Sequence, residues 1–393
     1  MPHDRLRHVT ALIAKRLASQ PVVALQGARQ TGKSFIARKL LAHKFRELLY
    51  VTFDSITVKR AASSSPEDFL TQHAQAKPLI IDEAQKSPEI FDAIKKTVDE
   101  NRIPGRYLLL GSTEFSRQTL IRESLTGRLS RVRIFPFDLA ETIGLEHKRK
   151  PTLATLRSCL HKYLEYGGLP GICFLRDEKH REQLIEDWIG LICFRDLQQF
   201  KTQRLDGEIA SLILREAALQ AEPTLANIAK VLRMDSRRVE SHLKALEELF
   251  VITRLLPHPA GGGKPIYMLF DTGVAHHFGA ELERKLHIWL INEQLSYDAY
   301  FGTKRSHFFY YRSTGKRMIH LVRESADQTR TAFQIITHEN IRHQDGELMR
   351  SFLSKNSRGV TRGLLLTPSL EKTILKTIPL VPWESGSRYF GGA

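Results

Sequence analysis

The sequence predicts an α/β fold in which helices cover both faces of a parallel sheet. Three observations carry that reading. Short apolar runs of strand type recur between residues 21 and 136, separated by stretches with helical apolar spacing. The segment Gly27-Ala28-Arg29-Gln30-Thr31-Gly32-Lys33-Ser34 directly follows the first run and matches G-x-x-x-x-G-K-[ST]. A later run, Leu79-Ile80-Ile81, ends in the adjacent carboxylates Asp82-Glu83. Two acids are affordable on a buried strand where they face a cation or water at its tip.

The first strand is Pro21-Val22-Val23-Ala24-Leu25, and Phe35 to Leu41 has the spacing of a helix. Between them, Gly27 and Gly32 let the backbone turn with its N–H groups inward, so residues 27–34 surround a phosphate at a helix N-terminus. Lys33 is then placed for the β- and γ-phosphates of ATP, and the Ser34 hydroxyl for Mg²⁺. Leu48 to Asp54 reads as a second strand, and Pro66 opens a short helix after Ser63-Ser64-Ser65. In the third strand Asp82 holds Mg²⁺ through its waters, and Glu83 polarises the water that attacks the γ-phosphate. Arg106 to Gly111 is a further buried strand, after which Ser112 or Thr113 senses the γ-phosphate. Leu125 to Arg131 supplies arginines before the strand Val132 to Phe135. Arg128 is the choice for neutralising transition-state charge, from its own chain or from a neighbour's in a homo-oligomer, with Arg117, Arg122 and Arg131 as competitors. Every one of these motifs is read as a strand C-terminus, the edge at which an open parallel sheet binds ligands.

At 393 residues the chain exceeds one ordinary core, so two to four domains are expected. Lysine and arginine number 59 against 43 aspartates and glutamates, a net charge of +16 that favours nucleic acid or another polyanion as partner. The three cysteines, Cys159, Cys173 and Cys193, are widely spaced without a C-x-x-C pair. That argues against a disulfide framework or structural zinc, and for a reducing, cytoplasmic setting. No apolar run approaches the length of a transmembrane helix. Met1 to Gln20 is basic and amphipathic through Val9, Leu12, Ile13 and Leu17; because a strand follows at once, it is read as a helix on the core rather than a transit peptide.

In the second half, Thr152 to Phe200 is helical, with Leu156, Leu160, Tyr163 and Leu164 on one face. It is broken by Gly167-Gly168-Leu169-Pro170-Gly171, which suggests a helical lid with a hinge-like turn. Leu225 to Leu232, a turn through Arg233-Met234-Asp235, and a helix from Ser236 with the apolar stripe Val239, Leu243, Leu246 and Phe250 have helix-turn-helix organisation. Strands Val251 to Leu256 and Pro265 to Phe270 complete a winged helix. Arg237, Arg238, Ser241 and Lys244 lie off the apolar stripe, where they could meet DNA phosphates or base edges.

These residues also carry a family resemblance. Residues 27–34, Ile81-Asp82-Glu83-Ala84-Gln85-Lys86-Ser87-Pro88, Leu110-Gly111-Ser112 and Ser124-Leu125-Thr126-Gly127-Arg128 resemble prokaryotic AAA+ ATPases that carry an AAA domain followed by a DUF4143 domain. Glu165 to Gly171, Phe194-Arg195-Asp196 and Phe270-Asp271-Thr272-Gly273 extend the match. The resemblance implies an AAA+ core over residues 1–140, a helical lid over 141–204, a winged helix over 205–270, and a restriction-endonuclease-like domain over 271–393. In that last domain, the family's first-helix glutamate falls at His287, its Glu-Val-Asp strand near Gly315 to His320, and its Glu-x-Lys strand near Phe333 to Ile336. The expected carboxylates are missing there, so the domain is read as a nuclease-like fold without nuclease chemistry. His276-His277, His307, His320, His338 and His343 lack a tight metal-ligand spacing.

The functional expectation is Mg²⁺-dependent hydrolysis of ATP to ADP and phosphate, coupled to DNA binding or remodelling. The alternative is an ATP-gated DNA-binding or scaffold protein with negligible turnover; an ATP-dependent nuclease is disfavoured.

Overall fold

The computed structural model describes residues 5–114, 127–144, 151–200, 205–302, 306–313, 317–356 and 361–390. Arg117, Arg122, Ser124 to Thr126, Gly315 and Lys316 lie outside the described residues. The chain divides into two compact units, one built from residues up to 135 with 248–250, the other from 136–247 and 251 onward.

The first unit is the expected parallel sheet. Strands β1 (Val22–Gln26), β2 (Leu49–Thr52), β3 (Leu79–Asp82), β4 (Tyr107–Gly111) and β5 (Leu129–Arg133) stand in the order β2-β3-β4-β1-β5, and every neighbouring pair is parallel. The central strands are mostly apolar because both faces are covered. Val22, Ala24, Leu79, Ile81, Tyr107 and Leu109 point into a core with Phe69 and Leu70 of one helix and Ile90, Phe91, Ile94 and Val98 of another. Side-chain alternation sends Val23, Leu25, Ile80, Leu108 and Leu110 to the other face, where all are buried. Helix α1 (Val9–Leu17) packs on β1 and β5 and buries Val9, Ile13 and Leu17, spaced one turn apart. The N-terminal segment is therefore a core helix, as its apolar spacing implies. After the phosphate loop, α2 (Lys33–Phe35) passes into a π-helical turn, Ile36–Leu40.

The second unit contains a mixed sheet in the order β12 (Thr373–Leu375), β13 (Ile378–Pro382), β11 (Thr361–Thr367), β10 (Arg330–Ile335), β9 (Met318–Glu324), β8 (His307–Arg312), β6 (Ile252–Pro257), β7 (Ile266–Leu269). Helices α9 (Gly207–Leu219), α10 (Leu225–Leu232) and α11 (Ser236–Glu248) are followed by the antiparallel pair β6 (Ile252–Pro257) and β7 (Ile266–Leu269). β6 also pairs in parallel with β8 (His307–Arg312), Leu256 opposite Phe309. The sheet therefore runs unbroken across residue 270, where the sequence places a domain boundary. Beyond it, α13 (Leu282–Phe301) precedes β8, β9 (Met318–Glu324) and β10 (Arg330–Ile335), which pair antiparallel in turn. β11 (Thr361–Thr367) then adds in parallel to β10.

The glycine run 167–171 is a packed joint rather than a loose hinge. Gly168 N–H donates to Asp271 Oδ2 at 2.7 Å, and the same carboxylate caps α12 (Thr272–His277) through Gly273 and Val274. A Cβ on Gly167 would meet Asp271 Oδ1 at 2.2 Å, and one on Gly168 would meet the Phe137 carbonyl oxygen at 2.2 Å. Close approach, not freedom to move, is what requires glycine at both positions.

Candidate nucleotide site

Parallel pairing brings the ends of β1, β3 and β4 to one edge of the first unit's sheet. The loop after β1 leaves the sheet beside Ile134: a Cβ on Gly27 would lie 2.4 Å from its carbonyl oxygen. Gly32 has φ 92°, and Gln30 holds φ 62° without being a glycine, the kind of backbone strain that collects at ligand-binding turns. The loop is pinned from outside. Buried Arg7 donates to the Thr31 and Phe135 carbonyl oxygens, each at 2.7 Å. Gln26 Nε2 donates to the Thr113 carbonyl oxygen at 2.7 Å, locking the end of β1 to that of β4. Lys33 is 7% exposed and folds its ammonium onto the Gly27 and Ala28 carbonyl oxygens, both at 2.8 Å.

The carboxylate pair is as ordered as the loop. Asp82 Oδ2 accepts from the Ser34 hydroxyl at 2.6 Å and from the Tyr50 hydroxyl, while Oδ1 accepts from Glu83 N–H at 2.9 Å. Burial first, and then the adjoining Asp82 carboxylate, hold the Tyr50 phenol well above its usual pKa, so it is the donor. Glu83 is in the left-handed region at φ 54°. Gln85, 9% exposed, donates its amide to Glu83 Oε2 at 2.6 Å and to Ser112 Oγ at 3.4 Å. Thus Glu83 and Ser112, distant in sequence, meet through Gln85.

Mg²⁺ prefers hard oxygen ligands in an octahedron with bonds of about 2.1 Å, which sets adjacent ligand oxygens about 3 Å apart. The Ser34 hydroxyl donates to Asp82 at 2.6 Å and keeps a lone pair for such an ion, while Asp82 stands where it would hold one of the ion's waters. The residues fit the metal.

Arg128 is a different case. In the β1–β5 register Val22 lies opposite Leu129 and Gln26 opposite Arg133. Arg128 therefore stands at the start of β5, not after a strand, and is separated from the loop by the length of β1, about 17 Å. Its guanidinium is bound by Asp99, with NH2 to Oδ2 at 2.9 Å. The geometry removes Arg128 from its own chain's phosphate site. Arg131 is level with Ala24 in mid-strand. The arginine that reaches the level of Gln26 is Arg133, stacked over the Phe135 and Phe250 rings.

In the second unit, α11 buries Val239, Leu243 and Leu246 as the apolar stripe predicts. Arg237, Arg238 and Lys244 are exposed and Ser241 half-buried. Two of these cations have carboxylates nearby: Lys244 Nζ is 2.7 Å from Glu240, and Arg238 is 3.9 Å from Asp206. Ser241 Oγ donates to the Arg237 carbonyl oxygen at 3.0 Å.

The nuclease-like positions converge as well. His287, 1% exposed on α13, contacts the His320 carbonyl oxygen at 2.9 Å, and the two rings meet edge to face at 4.9 Å. Burial holds His287 neutral, far below its usual pKa. His320 accepts from Ile335 N–H and reaches Glu283, one turn before His287, at 3.2 Å. The sequence reading overlooked that glutamate. Among the described residues of this domain, no trio of His, Cys, Asp or Glu side chains converges on a metal position.

The sheet order, phosphate loop and acidic strand tip define an AAA-type P-loop domain, and residues 19–143 match the AAA domain family AAA_14. Residues 157–283 match a domain of unknown function, DUF8612. This match does not support the expected DUF4143 domain. The chain is 28% identical over 284 residues to an uncharacterized protein of Mycobacterium tuberculosis, covering 69% of this chain and 58% of that protein. It is 22% identical over 207 residues to an uncharacterized protein of Methanocaldococcus jannaschii, covering 50% and 46%. It thus spans less than two thirds of the curated relatives it matches. Among solved structures, a Walker-type ATPase of Pyrococcus abyssi is similar at 16% identity and TM-score 0.43, covering 69% of this chain and 95% of that one. The Thermotoga maritima RuvB Holliday junction branch migration motor is similar at 15% identity and TM-score 0.32, covering 70% and 93%.

Proposed function

We propose that the chain hydrolyses ATP to ADP and phosphate with Mg²⁺. The observation that carries this reading is the contact between the Ser34 hydroxyl and the Asp82 carboxylate, which joins the phosphate loop to the acidic strand tip. Residues 27–34 hold the phosphates, with Lys33 exchanging its loop carbonyls for phosphate oxygens. Ser34 and Asp82 hold Mg²⁺, which would screen phosphate charge. Glu83, steadied by Gln85, orients the attacking water, and Ser112 reports the γ-phosphate. Arg128, remote from its own loop, serves a neighbouring copy in a homo-oligomer, so hydrolysis depends on assembly.

DNA is the proposed partner, supported by the net charge of +16 and the exposed Arg237 on α11. The boundaries 1–140, 141–204, 205–270 and 271–393 remain the proposed division of labour, and the cytoplasm the proposed location. Among the described residues no helix is long and apolar enough to cross a membrane. Nucleotide binding is tested by calorimetric titration of ATP into the full chain and its Lys33→Ala variant. The reading requires binding by the parent and a loss of at least about a hundredfold in the variant, since a charge-assisted phosphate contact is removed from a partly desolvated site. Equal affinity rejects it.

A further inference from the structure

The carboxylate assigned to the metal carries one bond that the hydrolysis chemistry leaves unused. Oδ2 of Asp82 accepts from two hydroxyls, Ser34 and Tyr50. A carboxylate oxygen offers two lone-pair directions in its plane, so these donors fill it. Oδ1 accepts one bond, from Glu83 N–H, and keeps its second lone pair. Ser34 can keep its bond when the site is loaded, because its proton points to Asp82 while an oxygen lone pair remains for the metal. The phenol has no such double role. Its proton occupies the last lone pair of Oδ2, the oxygen that faces Ser34, where a metal's coordinated water would otherwise bind.

The position of Tyr50 allows release. It comes from β2, the outermost strand of the sheet, on a stretch that is only half-buried. The Arg38 guanidinium lies over its ring, 5.1 Å from the centroid. The ring is therefore held from the solvent side by an exposed cation and is not enclosed in the core. Backbone pairing sets Thr52 opposite Asp82 and Tyr50 opposite Ile80, which fixes the reach of the phenol to the strand tip.

We propose that Tyr50 is a gate on the divalent-metal position: its hydroxyl competes for Asp82 Oδ2 with a metal's coordinated water and must yield before Mg²⁺ is held. The gate rests on the ATPase reading above. It sets how much free Mg²⁺ the protein needs and leaves metal-free nucleotide contacts alone. Tyr50 is a positioning residue, acting on the metal through Asp82.

The test is equilibrium binding of a methylanthraniloyl-labelled β,γ-imido analogue of ATP, which is not hydrolysed, to the full chain during titration with free Mg²⁺. Parent, Tyr50→Phe and Tyr50→Leu proteins are compared, with circular dichroism confirming the fold. Tyr50→Phe keeps the ring beneath Arg38 and removes only the hydroxyl. The gate predicts that both variants reach half-saturation at about tenfold lower Mg²⁺, the effect of losing one competing hydrogen bond to a charged group, with analogue affinity in EDTA equal to the parent's. A Mg²⁺ requirement in Tyr50→Phe that is unchanged or raised overturns the gate. Lys33→Ala protein separates the two readings: if it binds the analogue as the parent does, the nucleotide site itself is rejected, and the gate with it.

Discussion

Glu83 shows how much of the site rests on contacts between single side chains. Its left-handed backbone and its bond to Gln85 place the carboxylate beside Ser112. Replacing Gln85 with leucine should lower kcat about tenfold while leaving KM for ATP unchanged, because orientation is lost and phosphate binding is not; steady-state kinetics check it. Asp271 makes a prediction about pH. Burial, its dominant influence, pushes the carboxyl up to about 6 despite three backbone donors. A raised acid stabilises the fold most below its unfolded value near 4, and that contribution is lost as pH rises through 6. Asp271→Asn keeps the shape and removes the titration. Its unfolding free energy relative to the parent should therefore rise by about 2 kcal/mol between pH 4 and pH 8 in denaturant titrations. At this scale the sequence is legible where chemistry comes as a motif. Gly27 to Ser34, Asp82 and Glu83 announce themselves by spacing. Arg7, Tyr50 and Gln85 do not, because a tyrosine on an edge strand or an arginine before a helix acquires its partner only when the sheet forms.

The elements were legible in kind and less so in their consequences. Strands β1, β3 and β4 fall where aliphatic runs place them, since strands buried on both faces have few other compositions open to them. For Arg128 the sequence leaves open whether it serves its own chain or a neighbour's, because a short run after an arginine does not say which end of the strand faces the ligand; the parallel register does. The glycine run 167–171 reads in the sequence as a hinge-like turn, whereas the Asp271 carboxylate packed against it makes it a joint. For α11, the apolar stripe predicts the buried face, and ion pairs with Glu240 and Asp206 qualify the exposed one. If α11 meets DNA, Arg237→Ala should weaken binding similarly across duplex sequences and reduce the slope of log affinity against log salt by about one. Fluorescence anisotropy at several salt concentrations decides this, and an unchanged slope removes Arg237 from the interface.

Across the whole molecule, the α/β class follows from alternating strand and helix periods, whereas the eight-stranded mixed sheet does not. Joining β6 to β8 links residues some fifty positions apart, and pairing at that distance leaves no periodic trace. The nuclease-like positions likewise meet only in three dimensions, where His287, His320 and Glu283 form a hydrogen-bonded set. Assembly is the property of the molecule on which Arg128 depends. If a neighbouring copy supplies that guanidinium, specific ATPase activity should rise with protein concentration, and Arg128→Ala should flatten the rise and lower the plateau by about 10³-fold. The central claim, that the phosphate loop and the Asp82-Glu83 strand tip form one hydrolysis site, is tested most directly by measuring phosphate release and ATP binding side by side in the parent and Glu83→Gln. If Glu83 acts on the attacking water as proposed, the variant should bind ATP as the parent does and release phosphate at least about a hundredfold more slowly. Phosphate release at the parent rate would contradict the account.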